Sequence, residues 1–325
     1  MTPKIISNIL IANSSKECFY AIKELSIFYE PYLQTISSNK KSQVNGGNAV
    51  SPVIAAACLN DYIRTTRFLQ GIHKAIQDLL QRSPNQPVEV LYAGCGPLGT
   101  LILPLFSVFS PKQLQVTFLD IHESSIFCLK QIIQDNEWQE FVKEMHVVDA
   151  TIYAATQPYD LIISETMLNA LIDEPQVTIS AHLQPYLKEG GIFIPENILI
   201  DLAFTDYASL YRFNQPISFT DSQPVDIPSE ETEAAIPITT LSKLMACITK
   251  KQDSFITSPI QVPKNRKPDI VLITTIQVYQ DIMIVSSTSH ITNPHCIGTC
   301  NQLTTERFKL VYEITPNPHW QIVEA

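Results

Sequence analysis

Apolar and polar positions along the chain fall into three regimes. Lys16 to Leu33 repeats apolar residues at helical spacing and predicts an amphipathic helix. Thr35 to Pro52 is polar and holds the Gly46-Gly47 pair, which predicts a loop or mobile linker. Val53 to Gln81 then reads as one long helix. From Pro87 the period changes. VEVLYAG, QVTFLD (115–120), MHVVDA, YDLIISE (159–165) and GGIFIP (190–195) are short apolar strands, and SSIFCLKQIIQD and EPQVTISAHLQPYL between them have helical spacing. Strands alternating with helices imply a parallel sheet with crossover helices. Beyond about Asp206 the alternation stops. PISFT, VLITTIQVYQ, DIMIVSSTS and FKLVYEIT are β-rich runs broken by Pro, Asn and Asp, as in an antiparallel sandwich or partial barrel. The expected division is 1–86 helical, 87–205 α/β and 206–325 β-rich.

Composition narrows the partners. The 325 residues carry 22 Lys and Arg against 32 Asp and Glu, a net charge of -10, and no basic run. Nucleic acid and anionic membrane surfaces are both disfavoured by that sign. The longest uncharged stretch, Val90 to Pro111, is broken by three glycines and two prolines, which argues against a membrane helix. MTPKIISNILIANSS makes a poor signal peptide, because Ser7 and Asn8 interrupt its apolar run. Seven cysteines with no framework spacing read as reduced thiols of a cytoplasmic protein. His295, Cys296 and Cys300 lack the second pair that a zinc site needs, so no metal is expected.

Three of the nine glycines fall at Gly94, Gly96 and Gly99, with Cys95 between the first two, directly after a strand and before an apolar run that predicts a helix. Such a turn lets backbone N–H groups approach a ligand at a helix N-terminus. By itself G-x-G-x-x-G is a weak signal and also describes a plain tight turn. Asp120 ends the next strand, where a carboxylate can accept both ribose hydroxyls of a nucleoside ligand. Enzymes of NAD and of S-adenosylmethionine (SAM) share that device. Asp149 and Ala150, at the end of the third strand, stand where an adenine ring could meet the backbone, and Pro97-Leu98 crowds the path a pyrophosphate would take. VLYAGCGPLG looks like the first motif of class I methyltransferases.

Glu165 ends a strand and Glu174 follows nine residues later. Both belong to the carboxyl edge of a parallel sheet, where ligands bind. Two carboxylates held there call for a cation, and a planar guanidinium with its fork of donors fits best. A solvated loop with an acidic residue near a helix start is the plainer alternative.

SETMLNALIDE resembles the double-glutamate loop of protein arginine methyltransferases. CLNDYIRTTRFLQGIHKAI (58–76) resembles their N-terminal helix, and LKEGGIFIPENILI their next strand. The likeness covers about 53–205 and is only architectural beyond. It implies a Rossmann-like SAM-binding domain, preceded by helices and followed by a β-barrel or sandwich domain. It also implies a homodimer, and 224–237 is either an exposed loop or the dimerisation arm, with nothing in its chemistry to decide. By the same resemblance Glu165 and Glu174 grip the substrate guanidinium, Arg64 pairs with the carboxylate of SAM, and Asp61 joins a catalytic histidine from the barrel. The SAM site then takes in Gly94, Cys95, Gly96, Gly99, Asp120, Asp149 and Ala150. Where the family has Trp, Gly and Tyr in the loop, this chain has Thr166, Leu168 and Asn169, while Met167 is retained. The family's Thr-His-Trp signature finds only Pro318-His319-Trp320, which makes His319 the first candidate histidine, with His290 and His295 as others.

The expected reaction is N-methylation of a guanidino group. The altered loop, the shorter run after His319 and the low surface charge favour free L-arginine or another small guanidino metabolite over an Arg-containing peptide. Arg67 and Arg212 are candidates to hold an amino-acid carboxylate. A SAM enzyme with another acceptor, a non-catalytic SAM-binding protein and an NAD dehydrogenase are the rivals.

Overall fold

The computed structural model describes residues 2–36, 39–208, 235–264 and 268–325. Arg212, the PISFT run and most of the 224–237 segment lie outside them. The chain starts with α1 (Pro3–Ile11) and α2 (Ser15–Leu33). Ser14 and Glu17 form a reciprocal capping box at the start of α2, which satisfies two otherwise orphaned N–H groups. Ile6, Ile9, Leu25 and Tyr29 are fully buried. The expected linker instead holds a two-stranded hairpin, β1 (Ser42–Val44) and β2 (Gly47–Ala49).

The single long helix expected from Val53 is two. Helix α3 (Pro52–Ala57) runs into a 3-10 turn at Cys58–Asn60, and α4 spans Tyr62–Arg82. Asp61 breaks the run at φ -73° and ψ 84°, and its side chain accepts from the N–H of Arg64 to cap α4. Apolar spacing continues through the break, so periodicity alone does not reveal it.

Strands β3 (Val88–Ala93), β4 (Leu114–Asp120), β5 (Val142–Val147), β6 (Tyr159–Ser164) and β7 (Leu187–Ile194) form a parallel sheet in the order β5-β4-β3-β6-β7. Helices α5 (Glu123–Asp135) and α6 (Gln176–Leu183) lie between strands in the chain. The connections leave β3 and β6 in opposite directions, so the carboxyl ends of these two strands flank the switch point of the sheet, where such folds bind ligands. The glycine turn does not lead into an α-helix as expected. Pro97 and Pro104 interrupt that run, and a 3-10 stretch at Leu103–Ser107 follows instead.

β8 (Asn197–Thr205) leaves the parallel sheet and pairs with β12 (Asp269–Tyr279) over its whole length. A boundary at 205 therefore cuts after, not before, the first strand of the antiparallel region. With β9 (Ile236–Thr240), β13 (Ile282–Ile284) and β14 (His295–Thr299) these make one antiparallel sheet. Helix α7 (Leu241–Thr249) follows β9. A second sheet joins β10 (Ser254–Ile256), β11 (Ile260–Gln261), β15 (Arg307–Glu313) and β16 (His319–Glu324). Among the described residues the two sheets do not close into a barrel. No helix among them is long and apolar enough to cross a membrane.

Candidate active site

At the end of β3 the chain turns with Gly94, Gly96 and Gly99 at φ +68°, +62° and +51°. These are left-handed conformations that only glycine adopts readily. A Cβ on Gly94 would stand 2.5 Å from the Thr166 side chain, whereas one on Gly96 would meet nothing closer than Ala55 at 3.5 Å. Gly94 is thus required by the approach of the glutamate loop, and Gly96 by its turn. Asp120 is buried, and its two oxygens accept from the N–H groups of Gly96 and His122, each at 2.8 Å. His122 Nδ1 stands 3.4 Å from one of these oxygens, and since a carboxylate has about four acceptor positions, capacity remains for a ligand. Asp149 accepts from the N–H and hydroxyl of Thr151 at 2.8 Å, fixing the turn that carries Ala150. Burial pushes the Cys95 thiol well above its ordinary range, and the Asp120 charge adds to this, so it stays protonated and inert.

At the end of β6, Glu165 is buried in an ion pair with the Arg64 guanidinium from the first turn of α4. Arg64 also donates to the carbonyl of Cys58 at 3.2 Å, while its Nε is buried without a hydrogen-bond partner. Burial is the largest single influence and lowers the Arg64 pKa, but the charge and hydrogen bond of Glu165 together with Cys58 and Tyr92 outweigh it, and the net direction is upward. The cation that the two carboxylates call for is therefore supplied, on Glu165, by the chain itself. Among the described residues Glu174 has no such ion-pair partner. Burial first, then the charges of Glu165 and Asp173, raise its pKa to about 8. It is a carboxyl group poised between its two forms near neutral pH.

The loop between the glutamates is held in an uncommon shape. Ala170, Leu171 and Asp173 have φ of +56°, +58° and +62°, a conformation that costs side-chain-bearing residues about 1–3 kcal/mol each and persists only where neighbours impose it. The C-terminal strands impose it here. Trp320 Nε1 donates to the Ala170 carbonyl at 2.8 Å, the Tyr312 hydroxyl to that of Leu171, and the Asp173 N–H donates to the Pro318 carbonyl at 2.9 Å. From β12, Thr274 accepts the Ala170 N–H at 2.8 Å. Pro318-His319-Trp320 thus braces the loop through a carbonyl and an indole.

His319 itself is exposed, with its Nδ1 2.8 Å from the Asn317 carbonyl, and does not reach the cavity. His290 does. Asp61, 2% exposed, accepts from the Ser289 hydroxyl at 2.7 Å and from the His290 N–H at 2.9 Å. These bonds pin the Ser289-His290 turn against the break between α3 and α4. His295 is half-buried on β14, and Arg67 points elsewhere, donating to the carbonyls of Ala12 and Asn13.

One cavity of about 310 Å³ gathers most of the expected residues: Glu165, Glu174, Asp61, Arg64, Gly94, Cys95, Gly96, Asp120, Asp149 and Ala150. That volume lies at the small end for a ligand site. Gly99 and His319 do not line it. Gly99 serves packing instead, since a Cβ there would stand 2.8 Å from Leu129. Sequence reasoning missed Cys58, Tyr92, His122 and the hairpin residues Val44 and Ala49, all of which line the cavity. For Cys58 and His122 the signal was adjacency to Asp61 and Asp120; the hairpin left no comparable mark.

No family model matches the chain. A ribosomal protein L11 methyltransferase of Ruminiclostridium cellulolyticum is 28% identical over 136 residues, 41% of this chain and 40% of the relative. The chain therefore matches well under half the length of that relative. Among solved structures, PRMT6 superposes at TM-score 0.56 with 11% identity, covering 83% of this chain and 98% of that one. Arabidopsis thaliana protein arginine methyltransferase 10, in an open conformation, gives 0.51 with 14% identity, covering 82% and 95%. The Trypanosoma brucei PRMT1 enzyme–prozyme heterotetrameric complex with AdoHcy gives 0.50 with 12% identity, covering 83% and 97%. This chain has the fold of the protein arginine methyltransferases, a Rossmann-like parallel sheet joined to a C-terminal antiparallel domain.

Proposed function

We propose that this chain is a SAM-dependent N-methyltransferase of a guanidino group, with free L-arginine or a small guanidino metabolite as acceptor. The observation that carries the reading is one cavity lined by both the Gly94–Asp120–Asp149 edge and the Glu165/Glu174 pair. The residues suit the cofactor. Asp120 keeps acceptor capacity for ribose hydroxyls, and the buried, unpartnered Nε of Arg64 suits a ligand carboxylate. When bound, SAM supplies an electrophilic methyl on a sulfonium cation.

Everything else is the work of the chain. Glu165 shares its carboxylate between Arg64 and the acceptor guanidinium, and with Glu174 it draws the acceptor's positive charge to one side and holds one terminal nitrogen in line for transfer. Glu174, with its pKa near 8, gives up its proton when a cation binds beside it and takes one back as the guanidinium is alkylated. Asp61 fixes the turn that carries His290, and His290 takes the role first assigned to His319. A homodimer and a cytoplasmic location with reduced thiols complete the reading.

Labelled SAM incubated with L-arginine, a Gly-Arg-rich peptide and a panel of non-guanidine acceptors tests it. Product on arginine is expected. The fold shared with protein arginine methyltransferases favours one second reading, a protein substrate, and product on the peptide alone would establish that instead. Product only on the non-guanidine panel would overturn both.

A further inference from the structure

The hairpin β1–β2 has two strands of three residues each, paired Ser42 with Ala49 and Val44 with Gly47. A lone two-stranded hairpin is marginal in water, so something outside it must hold it. Two anchors do. At one end the Ser42 hydroxyl lies 3.2 Å from Nε2 of His122, the residue whose N–H bonds Asp120. At the other, Asn48 makes two hydrogen bonds to Asp173, the residue before Glu174. Its N–H donates to the Asp173 carbonyl and its Nδ2 to the Asp173 carboxylate, both at 2.7 Å. Lys41 adds a looser ion pair to the same carboxylate at 3.5 Å.

The fit between the anchors is close. A Cβ on Gly47 would stand 2.5 Å from the Asp173 carbonyl oxygen and 2.9 Å from the carbonyl carbon of Glu174, so the hairpin backbone lies flush on the Asp173–Glu174 backbone. Val44 and Ala49 turn toward the cavity. The hairpin is therefore a strap across the site, tied to the Asp120 edge at one end and to the glutamate loop at the other. Asp173, which sits at φ +62°, is pinned from two sides, by Asn48 and by the Pro318 carbonyl.

We propose that this strap determines acceptor specificity: Asn48, acting through Asp173, positions Glu174, and the strap closes the cavity to a guanidine carried on a peptide chain. A peptide-borne side chain needs an open groove at the mouth for the chain that bears it, whereas a free small molecule needs only the cavity. The choice of acceptor rests on the guanidino reading above; the positioning of Glu174 does not.

The test uses the full-length chain and Asn48→Ala, with three readouts. AdoHcy binding by calorimetry is expected to stay within twofold, because Asn48 touches only the acceptor side. The KM for L-arginine is expected to rise at least tenfold with kcat changed less, and turnover of a Gly-Arg-rich peptide to rise relative to arginine. Hydrogen exchange of the peptide spanning 170–176 is expected to quicken, with that of β3 and β4 unchanged. An unchanged KM, or a wild-type enzyme that uses the peptide as readily as arginine, overturns the specificity claim. Unchanged exchange at 170–176 overturns the positioning claim whatever the acceptor. A wild-type chain inactive on every guanidine, with exchange quickened as expected, defeats the functional reading while upholding Asn48 as the residue that holds Glu174.

Discussion

Replacing Glu174 by glutamine keeps the shape of the side chain and removes its titration. In the folded chain burial, the Glu165 charge and the Asp173 charge raise its pKa from 4.5 to about 8, against the pull of Arg64 and Lys41. In the unfolded chain it titrates near the ordinary value of about 4.3. Between these two values the folded state binds a proton that the unfolded state has lost, so wild-type stability falls as pH rises through this window. At about 1.36 kcal/mol per pH unit the loss is complete near pH 8 and amounts to about 5 kcal/mol. Glutamine carries no such loss. Measured by urea unfolding from pH 5 to 8.5, with Trp138 and Trp320 as fluorophores, Glu174→Gln gains on wild type steadily up to about pH 8. Relative to its value at low pH, the gain is about 1 kcal/mol at pH 5 and about 5 kcal/mol above pH 8. A stability difference that is flat across the range, or that shrinks with rising pH, refutes the assignment of a buried, neutral Glu174. The same variant is expected to bind SAM normally and to lose methyl transfer, since a neutral amide cannot accept the acceptor's proton.

Further substitutions separate the parts of the site. Arg64→Lys keeps the charge but loses the fork and the unpartnered Nε, and calorimetry is expected to show SAM binding weakened about tenfold or more. His290→Asn is expected to lower turnover by about 10²–10⁴-fold, while His319→Asn, on the exposed side of β16, leaves it within twofold; equal losses in both would contradict the placement of His290. Trp320→Phe leaves the Ala170 carbonyl without its donor, which costs about 1–3 kcal/mol by thermal unfolding and lowers kcat although Trp320 lies outside the cavity.

Local pattern carried the parts of the site that local chemistry defines. Gly94, Gly96 and Asp120 sit at strand ends, where apolar runs stop, and Glu165 stands out because it ends such a run. Asp61 is different. It caps α4 through the Arg64 N–H and is also bonded by Ser289 and His290, more than 200 residues away, and apolar spacing within 53–81 does not announce those distant bonds. His319 lies outside the cavity for a related reason. The letters around it spell a familiar signature, yet position in the cavity is set by the bond that Asp61 makes to another turn. The hairpin was illegible because three-residue strands in a polar stretch have no period to read, and its shape is held by Asp173 and His122. The helix expected after the glycine turn is absent because Pro97 and Pro104 interrupt it, a conflict visible in the residues themselves.

The brace between Trp320 and Ala170 also sets a clock. These residues are 150 positions apart, and chains grow at about 5–20 residues per second, so the indole follows the loop out of the ribosome by about 8–30 s. Through that interval Ala170, Leu171 and Asp173 have no partner from β15 or β16 to hold their left-handed backbone. The parallel sheet can form while the glutamate loop still samples other shapes. A nascent chain is thus expected to acquire its cofactor edge well before its acceptor edge, and competence for transfer waits on the last strand.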